Sequence, residues 1–295
     1  MKRSTIILLV VLLLLAGAAY LVTKKPGEQS ISGETGNYLV QIDSLAVDKI
    51  ELKTPTGEVV LEKKGVEWSV QKPLVYKADQ SNVANAIHQA KTLGVKNIVS
   101  NNPQKYSLFQ VDSTGTILTV YERGTAKPSV VIGKAGPTFA DSYVRLSASN
   151  DVALVDGVLS YNFTRPVKDW RDKTIFSAPR ESIKSVEYHF GDTTFVVAFK
   201  DSAWMIGKDS TDASAITSLL NTLSKFETDE FVDSLPPALP KLSASVIVGD
   251  MQIRFHEVKS PPKFYVQSSS SPQWLEVQPW RANQLLKRKA EILKK

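Results

Sequence analysis

The chain has 295 residues, 42% of them hydrophobic and 22% charged, and it contains no cysteine. This excludes a disordered, collagen-like or disulfide-stapled chain, and the length allows one large or two modest domains with a real core. The net charge of +6 is concentrated at the ends: Lys2, Arg3, Lys24 and Lys25 flank the first apolar run, and Arg281, Lys287, Arg288, Lys289, Lys294 and Lys295 crowd the last stretch beside Glu291. Without these residues 26 bases face 29 acids, so the body carries −3. A nucleic-acid-binding domain concentrates positive charge on its folded body, and that class is set aside.

From Thr5 to Val22 eighteen residues pass without a charge, the pattern of a signal peptide or a membrane span. Ala16-Gly17-Ala18 offers a cleavage site, but the apolar run continues through Tyr20, Leu21 and Val22 to Lys24, which favours an uncleaved transmembrane anchor over residues 1–25. Without cysteine a lipoprotein anchor is impossible. The long polar part that follows is expected outside the cytoplasm. Pro26 to Gly36 is polar and contains glycine and serine, so residues 26–39 read as a flexible tether.

The remainder reads as two copies of one unit. Val47–Val70 lies over Ile183–Ile206 without a gap, matching Ile50 with Val186, Leu52 with Tyr188, Val59 with Phe195, Leu61 with Val197, Trp68 with Trp204 and Val70 with Ile206. Each run alternates with polar neighbours, as a half-buried antiparallel strand does. Thr54-Pro55-Thr56-Gly57 and Gly191-Asp192 supply the turns. The period then changes: Val83, Ile87, Ala90 and Leu93 fall on Ile216, Leu220, Leu223 and Phe226, one face of a helix opened by Asp79-Gln80-Ser81 or Ser210-Thr211-Asp212. Short strands follow in both copies, with Leu118 and Val120 set against Ala244 and Val246, Val130 and Ile132 against Ile253 and Phe255, Tyr143-Val144 against Tyr265-Val266, and Val152–Val155 against Trp274–Val277. Helical segments, about 156–163 and 279–293, close them. The expected fold is α+β: an N-terminal transmembrane helix, then tandem units of antiparallel sheet packed by helices, over 40–165 and 181–295, joined by an ordered connector at 166–180.

Candidate chemistry is sparse. His88, His189 and His256 are not spaced as ligands on one element, and no Gly-x-Ser-x-Gly elbow occurs. Gly133-Lys134-Ala135-Gly136 lacks both the earlier glycine and the following hydroxyl residue of a phosphate loop, having Pro128 and Ala135 there; it reads as a β-turn. Asp169-Trp170-Arg171-Asp172 holds two carboxylates that a hydrolase could use as acid and base. The favoured reading is structural, with Trp170 buried and Arg171 bridging acids or carbonyls of both copies. The C-terminal segment from Pro279 reads as a packed helix with a solvated basic face. No catalytic, cofactor or metal residue is assigned. The interaction candidates are Trp170, Arg171, Asp172, Trp68 and Trp204.

Several stretches resemble the bacterial family grouped as domain of unknown function 4340 (DUF4340): the N-terminal apolar segment, Glu67-Trp68-Ser69-Val70, Val131-Ile132-Gly133-Lys134-Ala135, Tyr143-Val144-Arg145-Leu146, Val152-Ala153-Leu154-Val155 and, most specifically, Asp169-Trp170-Arg171-Asp172-Lys173 followed by Ile175. Where this chain has Tyr106-Ser107-Leu108, the family commonly has tyrosine-glycine-leucine. The resemblance implies a single-pass envelope protein of the bacterial inner membrane, its C-terminal part periplasmic, similar to proteins encoded near ABC-type export and gliding-motility components. It brings no catalytic residues. The expected function is a non-enzymatic accessory module without a cofactor, held by its N-terminal helix and binding a transporter-like membrane protein. The alternatives are a saccharide- or lipid-binding envelope protein, or a hydrolase using Asp169 or Asp172.

Overall fold

The structure is a computed structural model that describes residues 38–294. The expected anchor and nearly all of the expected tether lie outside the described residues. Among the described residues no helix is long and apolar enough to cross a membrane.

The chain enters at Tyr38, bridged to Gly94. It forms β1 (Val47–Thr54), β2 (Gly57–Lys64), β3 (Glu67–Lys72), β4 (Tyr76–Lys77), helix α1 (Gln80–Lys91), β5 (Val95–Ser100) and the short helix α2 (Tyr106–Phe109). The strands β6 (Thr116–Glu122), β7 (Thr125–Ala126), β8 (Val130–Ala135), β9 (Asp141–Leu146) and β10 (Val152–Asp156) and helix α3 (Leu159–Phe163) complete this part. Its ten strands form one antiparallel sheet in the order β4-β3-β2-β1-β6-β8-β9-β10-β5, with β7 beside β6.

A 3₁₀ turn at Val167–Trp170 and strand β11 (Thr174–Phe176) lead onward. Then come β12 (Ser185–Phe190), β13 (Thr193–Lys200), β14 (Ala203–Ile206), β15 (Asp209–Ser210), helix α4 (Ala213–Ser224), β16 (Phe226–Glu227), β17 (Glu230–Val232), β18 (Leu242–Val248), β19 (Met251–Lys259), β20 (Pro262–Ser268), β21 (Trp274–Val277), and helices α5 (Pro279–Leu285) and α6 (Lys289–Ile292). The second sheet has the order β15-β14-β13-β12-β18-β19-β20-β21-β17, which repeats the first.

The hairpins share their register. Ile50 lies opposite Leu61 as Val186 lies opposite Val197, and Leu52 opposite Val59 as Tyr188 opposite Phe195. All eight side chains are buried, because alternation sends every second residue to the face that the helix covers. Helix α1 buries Val83, Ala86, Ile87 and Ala90 there, and α4 buries Ile216, Leu219 and Leu223. Each helix starts at an aspartate whose carboxylate accepts a first-turn amide, Asp79 from Asn82 and Asp212 from Ala215, both at 2.9 Å.

Four expectations are corrected. The fold is mostly β rather than α+β, with roughly twice as many residues in strands as in helices; the sheets supply most of each core, and among the described residues only α1 and α4 reach twelve residues. The C-terminal helix breaks between Leu285 and Lys289 into two short pieces. In the β6 alignment, Leu118 lies opposite Leu52 and Val246 opposite Tyr188, so Leu118 answers Val246 and not Ala244. Finally, Gly133-Lys134-Ala135 continues strand β8 instead of turning. A Cβ on Gly133 would sit 2.2 Å from the Phe109 carbonyl oxygen and 2.8 Å from Val111 Cγ1. Glycine is therefore what lets the α2 segment lie on the outer face of the sheet, where Val111, Val131 and Val152 cluster with Tyr106, Phe109 and Tyr143.

Candidate functional site: the junction at Arg171

Five residues decide what the connector does. Pro166 directs the chain into the 3₁₀ turn, and Trp170 at its end is fully buried in the first core. The Trp170 carbonyl accepts the amide of Asp79, the cap of α1, at 2.8 Å, and Arg171 bridges Ala78. This segment closes the first unit. Arg171 is extended, with φ −90° and ψ 143°, so its side chain leaves on the opposite side from Trp170, toward the boundary with the second unit.

There the guanidinium lies between two rings, Cζ 3.3 Å from the centroid of Tyr76 and 3.6 Å from that of Phe231. Nη1 donates to Asp233 Oδ2 at 3.1 Å, and Nη2 is 2.9 Å from Oδ1. Tyr76 also donates its hydroxyl to Asp233. A planar cation with a fixed fork of donors suits both the stack and the carboxylate, which an ammonium does not. The Arg171 side chain is 4% exposed and that of Asp233 45%, so the arginine is the buried member of the pair. Partial burial pushes the Asp233 carboxyl up, but hydrogen bonds from Arg171 and Tyr76 outweigh it and hold the group below its ordinary value. Burial and the bond to Asp233 push the Tyr76 hydroxyl up.

The rest of the connector is equally engaged. Lys168 pairs with Glu230 on the surface. Thr228 N donates to Lys173 O at 2.8 Å, and β11 pairs antiparallel with β16. The Asp169 carboxylate accepts from Lys173 Nζ at 3.0 Å. Asp172 accepts the Thr174 amide at 2.9 Å and stands 3.9 Å from Lys77. The two carboxylates thus face different partners.

The other sequence candidates sit apart from the junction. Trp68 is buried in the first core, where its amide and carbonyl bond the side chain of Gln80 at 2.9 and 3.0 Å. Trp204 packs on the second core, and its carbonyl accepts from Thr211 Oγ1 at 2.8 Å. Both are framework residues. His189 is 2.8 Å from Glu187, and His256 Nδ1 is 2.8 Å from Pro240 O with its ring edge-on to Trp274. Among the described residues no group of three or more His, Asp or Glu side chains converges as metal ligands would. Tyr76, Phe231 and Asp233 escaped the sequence reading, because nothing local marks a residue whose partner is far along the chain, as Asp233 is 62 positions from Arg171 and 157 from Tyr76.

A family model described as "Domain of unknown function (DUF4340)" matches residues 68–244, a span that contains the whole connector. No curated protein and no solved structure matches the chain.

Proposed function

The chain belongs to the DUF4340 family, and on that premise we propose that it is a non-enzymatic, membrane-anchored envelope module that binds a membrane-protein partner. The partner we favour is an ABC-type transporter or a gliding-related assembly, with the two-unit body in the periplasm. The observation that carries the reading is the connector. Arg171 ties the two units together through Asp233, while Asp169 and Asp172, the carboxylates best suited to chemistry, are engaged within the connector by Lys173 and the Thr174 amide. The uncharged run from Thr5 to Val22 supports the anchor.

Crosslinking and affinity capture of the full-length chain from native membranes tests the partner: one membrane protein should return in a constant ratio, and recovery of the chain alone at every detergent strength would overturn the reading. Alkaline-phosphatase fusions after Tyr38 test the side, and the mass of the mature N-terminus tests the anchor. Replacing Asp169 and Asp172 by asparagine separates module from hydrolase. The module predicts a less stable protein; a hydrolase predicts a stable protein that still captures its partner and has lost an activity.

A further inference from the structure

The two copies carry different chemistry on the outer face of one hairpin. In β2 and β3 Leu61 lies opposite Val70 and both face the core, so the neighbouring pair, Glu62 opposite Ser69, faces out. Lys64 lies opposite Glu67, which pairs with Lys77 at 3.1 Å. In β13 and β14 Val197 lies opposite Ile206 in the same register, but the outward pair is Ala198 opposite Met205. Lys200 lies opposite Ala203, and Ser210, opposite Met205, stands where Lys77 is opposite Ser69. The second copy has thus lost both acids and gained an apolar surface, while keeping the lysine.

That surface forms the floor of a depression of about 510 Å³, built from Val196, Ala198 and Met205 with Lys200 and Lys289 beside them. Val196 is 40% exposed there. Lys289 comes from the closing segment of the unit. Asp212 N donates to Ile292 O at 2.8 Å and Lys294 N to Ser210 O at 3.1 Å, so α6 lies along the β15 edge and closes the second unit as the connector closes the first. Lys287, Arg288, Lys289 and Lys294 in this segment, with Lys200 and Lys208 of the hairpin, face Asp201, Asp209 and Glu291. Six bases against three acids leave an excess of +3. Among the described residues only Lys289 of the six is ion-paired, to Asp209 at 3.2 Å.

An apolar floor beside cations that nothing neutralises is complementary to a ligand that is apolar at one end and anionic at the other, the chemistry of an anionic lipid. The apolar residues alone would suit any hydrophobic partner, and the charge excess is what selects this one. We propose that this face of the second unit docks on an anionic lipid bilayer, Val196 and Met205 meeting the acyl boundary and Lys200 and Lys289 the headgroup phosphates. The bilayer as the source of the lipid rests on the anchor proposed above, which keeps the body beside a membrane.

The absence of cysteine allows one reporter to be placed at a time. Met205→Cys in the full-length chain, labelled with a polarity-sensitive fluorophore, is compared with the equivalent Ser69→Cys in the first copy. Vesicles of phosphatidylcholine containing phosphatidylglycerol should shift the Met205 label to the blue and leave the Ser69 label unchanged, and vesicles of phosphatidylcholine alone should shift neither. Salt should weaken the shift. Lys200→Gln with Lys289→Gln should abolish it at an unchanged thermal midpoint, since both lysines are exposed. A Met205 label that behaves like the Ser69 label in anionic vesicles would overturn the proposal, as would a shift that survives the loss of both lysines. A shift in native membranes that is missing from vesicles of the lipids extracted from them would give this face to a protein instead. Co-flotation with the neutral vesicles reads the anchor separately: a chain that fails to float with them, yet whose Met205 label still responds to phosphatidylglycerol, loses the anchor and keeps this surface.

Discussion

Arg171 shows how one side chain can serve two cores. Its backbone belongs to the first unit, bridging Ala78, and its guanidinium lies between the units, stacked between Tyr76 of the first and Phe231 of the second. Removing a buried cation that is both stacked and bonded to a carboxylate costs about 2–4 kcal/mol, from the lost hydrogen bonds and the lost stack. Lysine does not rescue it, because a compact ammonium cannot lie flat between two rings while it reaches Asp233. The pH dependence follows from Asp233, whose carboxyl is held below its ordinary value in the folded protein. Its contribution is complete above the unfolded value of about 4 and is lost as pH falls through the lower, folded value. The stability difference between wild type and Asp233→Asn should stay constant from neutral pH down to about 5 and shrink below about 4, as read by urea unfolding. A difference that persisted undiminished to pH 3, on that same scale, would remove the carboxylate from the account. Trp170 and Arg171 were legible in sequence as a bulky apolar residue and a cation in a glycine-poor connector. Their partners were not, since Tyr76 and Phe231 look like ordinary strand residues until the second sheet is set beside the first.

At the scale of elements the two units predict each other. Asp79→Ala and Asp212→Ala remove the same cap from equivalent helices, and each should cost about 1 kcal/mol in urea unfolding; a cost at one helix only would break the equivalence. Gly133→Ala tests a contact that the first sheet makes alone. Its Cβ would meet the Phe109 carbonyl at 2.2 Å, so α2 must lift from β8 and the cost should be about 1–3 kcal/mol. A Gly133→Ala protein as stable as wild type would show that α2 does not pack as described. Elements were legible where period and register agree, as in β1–β2 and β12–β13, where Ile50, Leu52, Val59 and Leu61 and their equivalents Val186, Tyr188, Phe195 and Val197 are buried as opposed pairs. The slip at β6 escaped because a shift of two residues along a strand leaves the same faces buried: Leu118, Val246 and Ala244 all point inward. The break in the C-terminal helix escaped for a related reason. Leu285 and Ile292 are both buried, seven residues apart as on one helix face, and no proline or glycine lies between them.

For the whole molecule, repetition of strand order is what makes the junction intelligible, since each unit is entered along an edge and closed by a capping segment. The weight of helices in the fold was overestimated from sequence, because a twelve-residue amphipathic helix gives a clear periodic signal while nine or ten short strands give many weak ones. The central claim is that the Arg171 clamp couples two otherwise separate cores. The most direct measurement is a double-mutant cycle in urea on Arg171→Ala and Asp233→Ala, recorded with probes in both units. The account predicts a coupling energy of at least about 1 kcal/mol between the two sites. It also predicts one shared transition in the wild type that separates into two when Arg171 is removed. Additive effects, with both units unfolding at unchanged and coincident midpoints in all four proteins, would contradict it.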